Sequence, residues 1–344
     1  MKVLITGGAG FIGSHLSDAL LQRGHDVTII DDLSTGSMEN IMHVRAFPNY
    51  HFVIETIMNQ AVMDRLINEC DMIFHLASAV GVELIVNHPV EVIERCILGT
   101  EMVLKIANRY KRKVLITSTS EIYGKNTKVP FREGDDRLLG PTTKSRWSYS
   151  SSKAIDEFLS LAYYKGKQLP IVIVRLFNTI GPRQSGQYGM VVPRFVQQAM
   201  QNKDIQVYGD GRQSRCFCYV SDVIEALIAL MNHPEAVGKI FNVGNNEEIT
   251  IMDLAELVKQ IVGSESKIVK IPYDQAYEEG FEDMLRRVPD LTRIHQLIGY
   301  KPRIKCSVAI QRIWEYFKEK ADGNLREKSP LTPSEIFASD HVKL

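Results

Sequence analysis

The sequence has no excess of either charge: 41 Lys and Arg face 41 Asp and Glu over 344 residues. That balance argues against nucleic acid or an anionic membrane as a partner. Cysteine is scarce, with five residues scattered as Cys70, Cys96, Cys216, Cys218 and Cys306. There is no Cys-x-x-Cys and no histidine cluster at zinc spacing, so no metal site is expected. Reduced thiols and a cytoplasmic location are the expectations that follow. The one close pair, Cys216 and Cys218, lies in a strand-like segment, where alternate side chains share a face. No apolar run approaches a membrane span. Repeats and low-complexity tracts are missing, and a first strand beginning at Lys2 leaves no room for a signal peptide. What remains is a chain long enough to bury a large core, with two lobes expected.

What is present starts at once. The apolar strand Lys2–Thr6 runs into Gly7, Gly10 and Gly13, and a helix begins at the third. Such a turn is built for a dinucleotide pyrophosphate: one glycine for the tight turn, one for close approach of the backbone, one for helix–strand packing. Phe11 and Ile12 complete the loop. The new helix would point free N–H groups and its positive dipole end at the anion. A second strand, Val27–Ile30, ends in Asp31-Asp32, eighteen residues after Gly13. A carboxylate there suits the ribose hydroxyls of NAD and repels the extra phosphate of NADP. NAD is therefore the expected cofactor.

Strand-like runs (Lys2–Thr6, Val27–Ile30, Phe52–Ile54, Met72–Leu76, Lys113–Thr117, Ile171–Leu176) alternate with helical stretches such as Phe11–Arg23, Asn59–Glu69, Pro89–Arg109 and Tyr149–Lys165. This alternation predicts an α/β fold with a doubly wound parallel sheet of the Rossmann type. After Asn178 comes a loop rich in turn residues, 181–189, and then short strands and helices. The expected division is a cofactor domain over 1–180, a smaller α/β substrate lobe over 181–320 with segments returning to the first domain, and a polar tail over 321–344.

Tyr149 and Lys153 stand four residues apart on one predicted helix and share a face. An ammonium beside a phenol favours the phenolate, so Tyr149 could take a proton from a sugar hydroxyl during oxidation. The strand after Lys113 ends in Thr119-Ser120-Glu121, at the carboxyl edge of the predicted sheet, where ligands bind. Thr119 and Ser120 can hydrogen-bond the reacting oxygen, and Glu121 suits a second proton transfer. His75 reads as a packed structural histidine.

The Gly-x-x-Gly-x-x-Gly spacing, with Tyr149-x-x-x-Lys153, resembles the short-chain dehydrogenase/reductase superfamily. Four further stretches, 118–124, 175–183, 207–211 and 219–223, resemble its extended members that act on nucleotide sugars, over residues 1 to about 320. The resemblance implies that Asn178 and Arg183 face the substrate, that Val192 and Tyr208 lie around the nucleotide base, and that Arg215 and Arg287 grip diphosphate or sugar. It also implies a UDP-sugar substrate and a homodimer paired through the helices 89–109 and 149–165, whose Ile93, Ile97, Leu98, Met102 and Ile106 exceed one core-facing stripe.

All such enzymes begin by oxidising C4 of the sugar. The Ser120-Glu121 pair, the approach Arg146-Trp147-Ser148-Tyr149, and Arg215-Cys216-Phe217 resemble UDP-glucuronate decarboxylases and the related decarboxylase of the 4-amino-arabinose pathway. The loop Ala79-Val80-Gly81-Val82 looks instead like sugar 4-epimerases, and Thr56 stands where the family often has an adenine-contacting Asp, with Glu55 beside it. UDP-glucuronate decarboxylase is the expected activity, with a UDP-sugar 4-epimerase as the alternative. A 4,6-dehydratase, which needs an Asp-Glu pair, and an NAD-binding protein without turnover stand behind them.

Overall fold

A computed structural model describes residues 1–78, 88–186, 190–276 and 284–323. The 79–82 loop and most of the tail lie outside these residues.

The central strands are continuous apolar runs, as a parallel sheet covered on both faces requires. Seven of them form one sheet in the order β11-β6-β5-β4-β1-β2-β3, every pair parallel. They are β1 (Lys2–Thr6), β2 (Asp26–Asp31), β3 (Tyr50–Ile54), β4 (Met72–His75), β5 (Lys113–Thr119), β6 (Ile171–Leu176) and β11 (Ile240–Val243). Successive side chains point to opposite faces. Val3 and Ile5 accordingly enter one core cluster and Leu4 the other. The first cluster takes in Leu16 and Leu20 of α1 (Phe11–Gln22) and Val223 and Leu227 of α6 (Val220–Asn232). The second takes in Met63, Leu66 and Ile67 of α2 (Gln60–Glu69) and Val103 and Leu104 of α3 (Pro89–Tyr110). Helix α4 (Ser148–Lys167) packs along α3.

The chain steps outward from β1 to β2 and β3 on one side, and from β4 to β5 and β6 on the other. The order therefore reverses between β1 and β4, and a crevice opens beyond their carboxyl ends. This is the doubly wound sheet expected from the alternation.

In the second half, β8 (Ile205–Tyr208) pairs in parallel with β13 (Ile268–Ile271). Helices α5 (Val191–Met200) and α7 (Ile251–Val262) pack beside it, and α10 (Cys306–Ala321) lies against both. One expectation is corrected here. Cys216 and Cys218 do not share one strand: β9 (Ser214–Cys216) runs antiparallel to β12 (Glu248–Thr250), whereas β10 (Cys218–Tyr219) pairs with β7 (Thr179–Ile180). The chain changes sheets at Phe217, so alternation across it carries no facial meaning. All five cysteines are free. No helix among the described residues is long and apolar enough to cross a membrane.

Candidate active site

A cleft of about 490 Å³ opens at the carboxyl edge of the sheet. All the site residues named from the sequence border it except Lys153, which lies behind its wall.

The glycine loop forms one end. Gly7 sits at φ +73°, and a Cβ there would stand 2.9 Å from the Ala77 nitrogen. A Cβ on Gly13 would stand 2.2 Å from the Gly7 oxygen. A side chain at either place would collide with neighbouring backbone and force the loop open. Among the described residues, no side chain caps the N-terminus of α1 and no acid occupies its first turn. Its free N–H groups thus face the cleft as an anion site. The donor set fits a dinucleotide pyrophosphate. Asp31 turns partly inward: its carboxylate accepts the Ala9 N–H at 2.9 Å and the Leu33 N–H at 2.8 Å, bracing the loop, while burial raises its pKa. Asp32 accepts from the Ser34 N–H at 2.9 Å and lies 3.4 Å from Arg95 of α3.

The other end holds the residues that the sequence reading expects to be catalytic. Strand β5 stops at Thr119, whose hydroxyl accepts the Glu121 N–H at 3.2 Å and starts a 3-10 turn, Ser120–Tyr123. Ser150 of α4 donates to the Glu121 carbonyl at 2.8 Å and ties that turn to the helix carrying Tyr149. Glu121 is buried and gripped by the fork of Arg146, one bond at 2.9 Å and a shorter one on the second oxygen. Arg287 lies 3.8 Å from the same carboxylate and donates to the Ser120 hydroxyl at 3.4 Å. Burial pushes the Glu121 pKa up, but Arg146, Arg287 and Arg215 outweigh it, and the group stays below the usual carboxylate range. The floor therefore holds three guanidinium groups around one carboxylate.

The phenol of Tyr149 behaves differently from the expectation. Burial, then the neighbouring Cys96 and Glu121, raise its pKa well above the ordinary value, and Ser78 hydrogen-bonds it. Lys153 does not offset this. Its ammonium donates to Asp156 at 2.8 Å. Tyr149 is therefore a protonated phenol in the protein alone.

Other residues fall into place around this pair. Arg183 borders the cleft, yet its guanidinium is held by Asp18 at 2.8 Å and lies 3.2 Å from His43. Asn178 donates to the Cys216 carbonyl at 3.1 Å, and Arg215 to the Ser214 and Met284 carbonyls. Val192 and Tyr208 border the far end, where the Arg194 guanidinium lies 3.9 Å over the Tyr208 ring centroid. His75 is buried between Thr6 and Thr100 at 2.8 and 3.2 Å, with its pKa pushed down to about 3 by burial and by Lys153. It is a neutral packing residue. Arg146, Asp156, Ser78 and Arg194 were not among the residues singled out. Only Arg146 carried a signal, through its place in the Arg-Trp-Ser-Tyr run.

The model of the GDP-mannose 4,6-dehydratase family matches residues 4–313. A UDP-N-acetyl-alpha-D-glucosaminuronate decarboxylase of Bacillus cytotoxicus is 42% identical over 319 residues, covering 92% of this chain and 98% of the relative. UDP-glucuronic acid decarboxylase 1 of Xenopus tropicalis is 35% identical over 324 residues, covering 93% and 73%. The solved UDP-glucuronic acid 4-epimerase of Bacillus cereus, in complex with UDP-glucuronic acid and NAD, superposes with a TM-score of 0.83 at 28% identity, covering 93% of this chain and all of that one. With the glycine cradle, the buried Tyr-Lys pair and these likenesses in agreement, the chain belongs to the GDP-mannose 4,6-dehydratase family of NAD-dependent nucleotide-sugar epimerases and dehydratases.

Proposed function

We propose that the chain is an NAD-dependent decarboxylase of a UDP-linked hexuronate. The observation that carries the reading is the floor of the cleft: an ionised Glu121 among Arg146, Arg215 and Arg287, beside Tyr149. The 42% and 35% identical relatives are both named as uronate decarboxylases and differ in the group at C2 of the sugar.

Gly7, Gly10, Gly13 and the N-terminus of α1 would hold the pyrophosphate, and Asp31 and Asp32 the adenosine ribose. Bound NAD⁺ supplies the hydride acceptor and a cationic ring. Tyr149 takes the proton from the C4 hydroxyl, with the Thr119 and Ser120 hydroxyls orienting that oxygen. The product of this step is a β-keto acid. Its C5–carboxyl bond breaks without a metal, because the electrons move into the C4 carbonyl as an enolate. Arg287, which already reaches toward Ser120, and its neighbouring guanidinium groups stabilise that negative charge. A proton must then reach C5. Glu121 is ionised and has no proton to give until it has received one, so it acts as an acceptor and relay on the proton's way to C5.

The test is to incubate the protein with UDP-glucuronate, and separately with its 2-acetamido analogue, in the presence of NAD⁺. CO₂, reduced-cofactor absorbance and the product NMR spectrum are followed. CO₂ with a UDP-pentose, where the hydride returns to C4, or with a UDP-4-keto-pentose and an equivalent of reduced cofactor, where it does not, supports the reading, and the preferred uronate identifies the C2 group. Conversion to the C4 epimer without CO₂ would replace it with the 4-epimerase.

We infer a homodimer as well. Val90, Ile93 and Leu98 of α3, with Ile155 and Phe158 of α4, are exposed on a packed helix pair, Phe158 to 67%. Ile106, named earlier for this surface, is instead buried in the subunit core, and Met102 packs against it.

A further inference from the structure

Lys153 is 2% exposed, and an ammonium at that depth is costly unless an anion meets it. The groups facing it come from three elements. Helix α3 contributes Cys96, β4 contributes the neutral His75, and α4 itself contributes Asp156 and Glu157, with Tyr149 one turn earlier on the same helix. Glu157 is already committed: it takes two bonds from Arg175, at 2.9 and 2.7 Å, and one from Ser118 at 2.6 Å. Asp156 is the carboxylate in contact with Lys153, at 2.8 Å, and its own side chain is 1% exposed. Burial alone pushes an ammonium toward losing its proton. Here Asp156 opposes burial, and Lys153 is held above the ordinary lysine value; burial raises the Asp156 carboxyl in turn, with Lys153 and Thr100 opposing it, and the 2.8 Å contact is that of a charged pair.

We propose that Asp156 is a positioning residue, whose carboxylate keeps the Lys153 ammonium charged and fixed in the wall behind Tyr149. The proposal rests on the reading of Tyr149 and Lys153 as the proton-transfer pair. Asp156 does not touch the cleft. It acts through Lys153, and the cost is that the same anion helps hold the Tyr149 phenol protonated.

Asp156→Asn keeps the shape and removes the charge. In the wild type Lys153 keeps its proton across the ordinary lysine range, so kcat does not fall there through its loss. In the variant burial acts on Lys153 without the opposing carboxylate, and kcat falls at lower pH than in the wild type. Parallel pH profiles for variant and wild type, even at reduced kcat, overturn the proposal, because a packing role would not move the pH dependence. Thermal unfolding supplies a second readout that needs no turnover. The deficit of Asp156→Asn is expected to shrink as pH rises, since Lys153 can then discharge, and to vanish in a Lys153→Met background. A deficit that persists in that background, or a double variant that fails to fold where Lys153→Met folds, also overturns it. Absence of turnover in the wild type would sink the proposed function and leave this unfolding cycle intact.

Discussion

Arg146→Met is the most informative single change. Methionine fills much of the volume and removes the guanidinium fork that holds Glu121. Breaking one side of a buried ion pair typically costs about 3–5 kcal/mol, because the surviving charge is left without its partner. Arg287, at 3.8 Å, and Arg215 remain near Glu121 and place the expected cost at the lower end, about 3 kcal/mol. For a chain of this size that is a fall in Tm of about 4 °C. The sign with pH is fixed. Glu121 has a lowered pKa in the folded protein, so its contribution is present above the unfolded carboxylate value and lost as pH falls through the folded one. In the variant Glu121 titrates higher and can discharge by taking a proton. The gap between variant and wild type is therefore widest at neutral pH and narrows toward about pH 4. Release of CO₂ from UDP-glucuronate should drop by roughly 10²–10⁴-fold, the scale of a lost proton-transfer partner. Arg146→Lys keeps a charge but not the fork, and should fall between. Scanning calorimetry over pH, with a CO₂ assay, checks both parts. A gap in Tm that is constant with pH, or CO₂ release at the wild-type rate, would refute the claim that Arg146 keeps Glu121 ionised for the reaction.

Two more outcomes follow from the same coordinates. Tyr149→Phe removes only the phenolic oxygen, so single-turnover NADH formation should fall by roughly 10²–10⁴-fold while UDP-sugar binding survives; formation at the wild-type rate would show that another group is the base. Phe158→Asp puts a charge on the exposed α3–α4 face and should convert a dimer to a monomer by light scattering, whereas an unchanged mass would place the subunit contact elsewhere.

The parts legible in the sequence were those whose physics is local. Strand β1 and the glycine turn occupy twelve consecutive residues, and the spacing of the glycines shows within that span. Tyr149 and Lys153 share a helix face one turn apart. Six strands of the seven-stranded sheet were legible because they are mainly apolar runs alternating with helices, whereas β11 was expected only among the short strands of the second half. The strands β7, β9, β10 and β12 were not, since runs of two or three residues are too short to show a period. They exist because Phe217 and its neighbours are held between partners distant in sequence.

The same division explains why the electrostatics of the site were misjudged. From spacing alone, Lys153 serves Tyr149, because an ammonium one turn away is the nearest charge that periodicity can supply. The folded chain brings further charges to the same helix. Glu121 arrives from the end of β5, Arg146 from the turn before α4, and Arg287 from beyond residue 283. Asp156 was in plain view three residues after Lys153, but an acid three residues from a base reads as an ordinary surface pair, worth a few tenths of a kcal/mol. Burial changes its meaning: with both side chains at 2% exposure or less, the pair decides whether Lys153 can remain charged. A site of this kind is assembled from ion pairs whose strength depends on how little water reaches them. That quantity is set by the packing of α3, α4 and β4, which no single segment of the sequence reports.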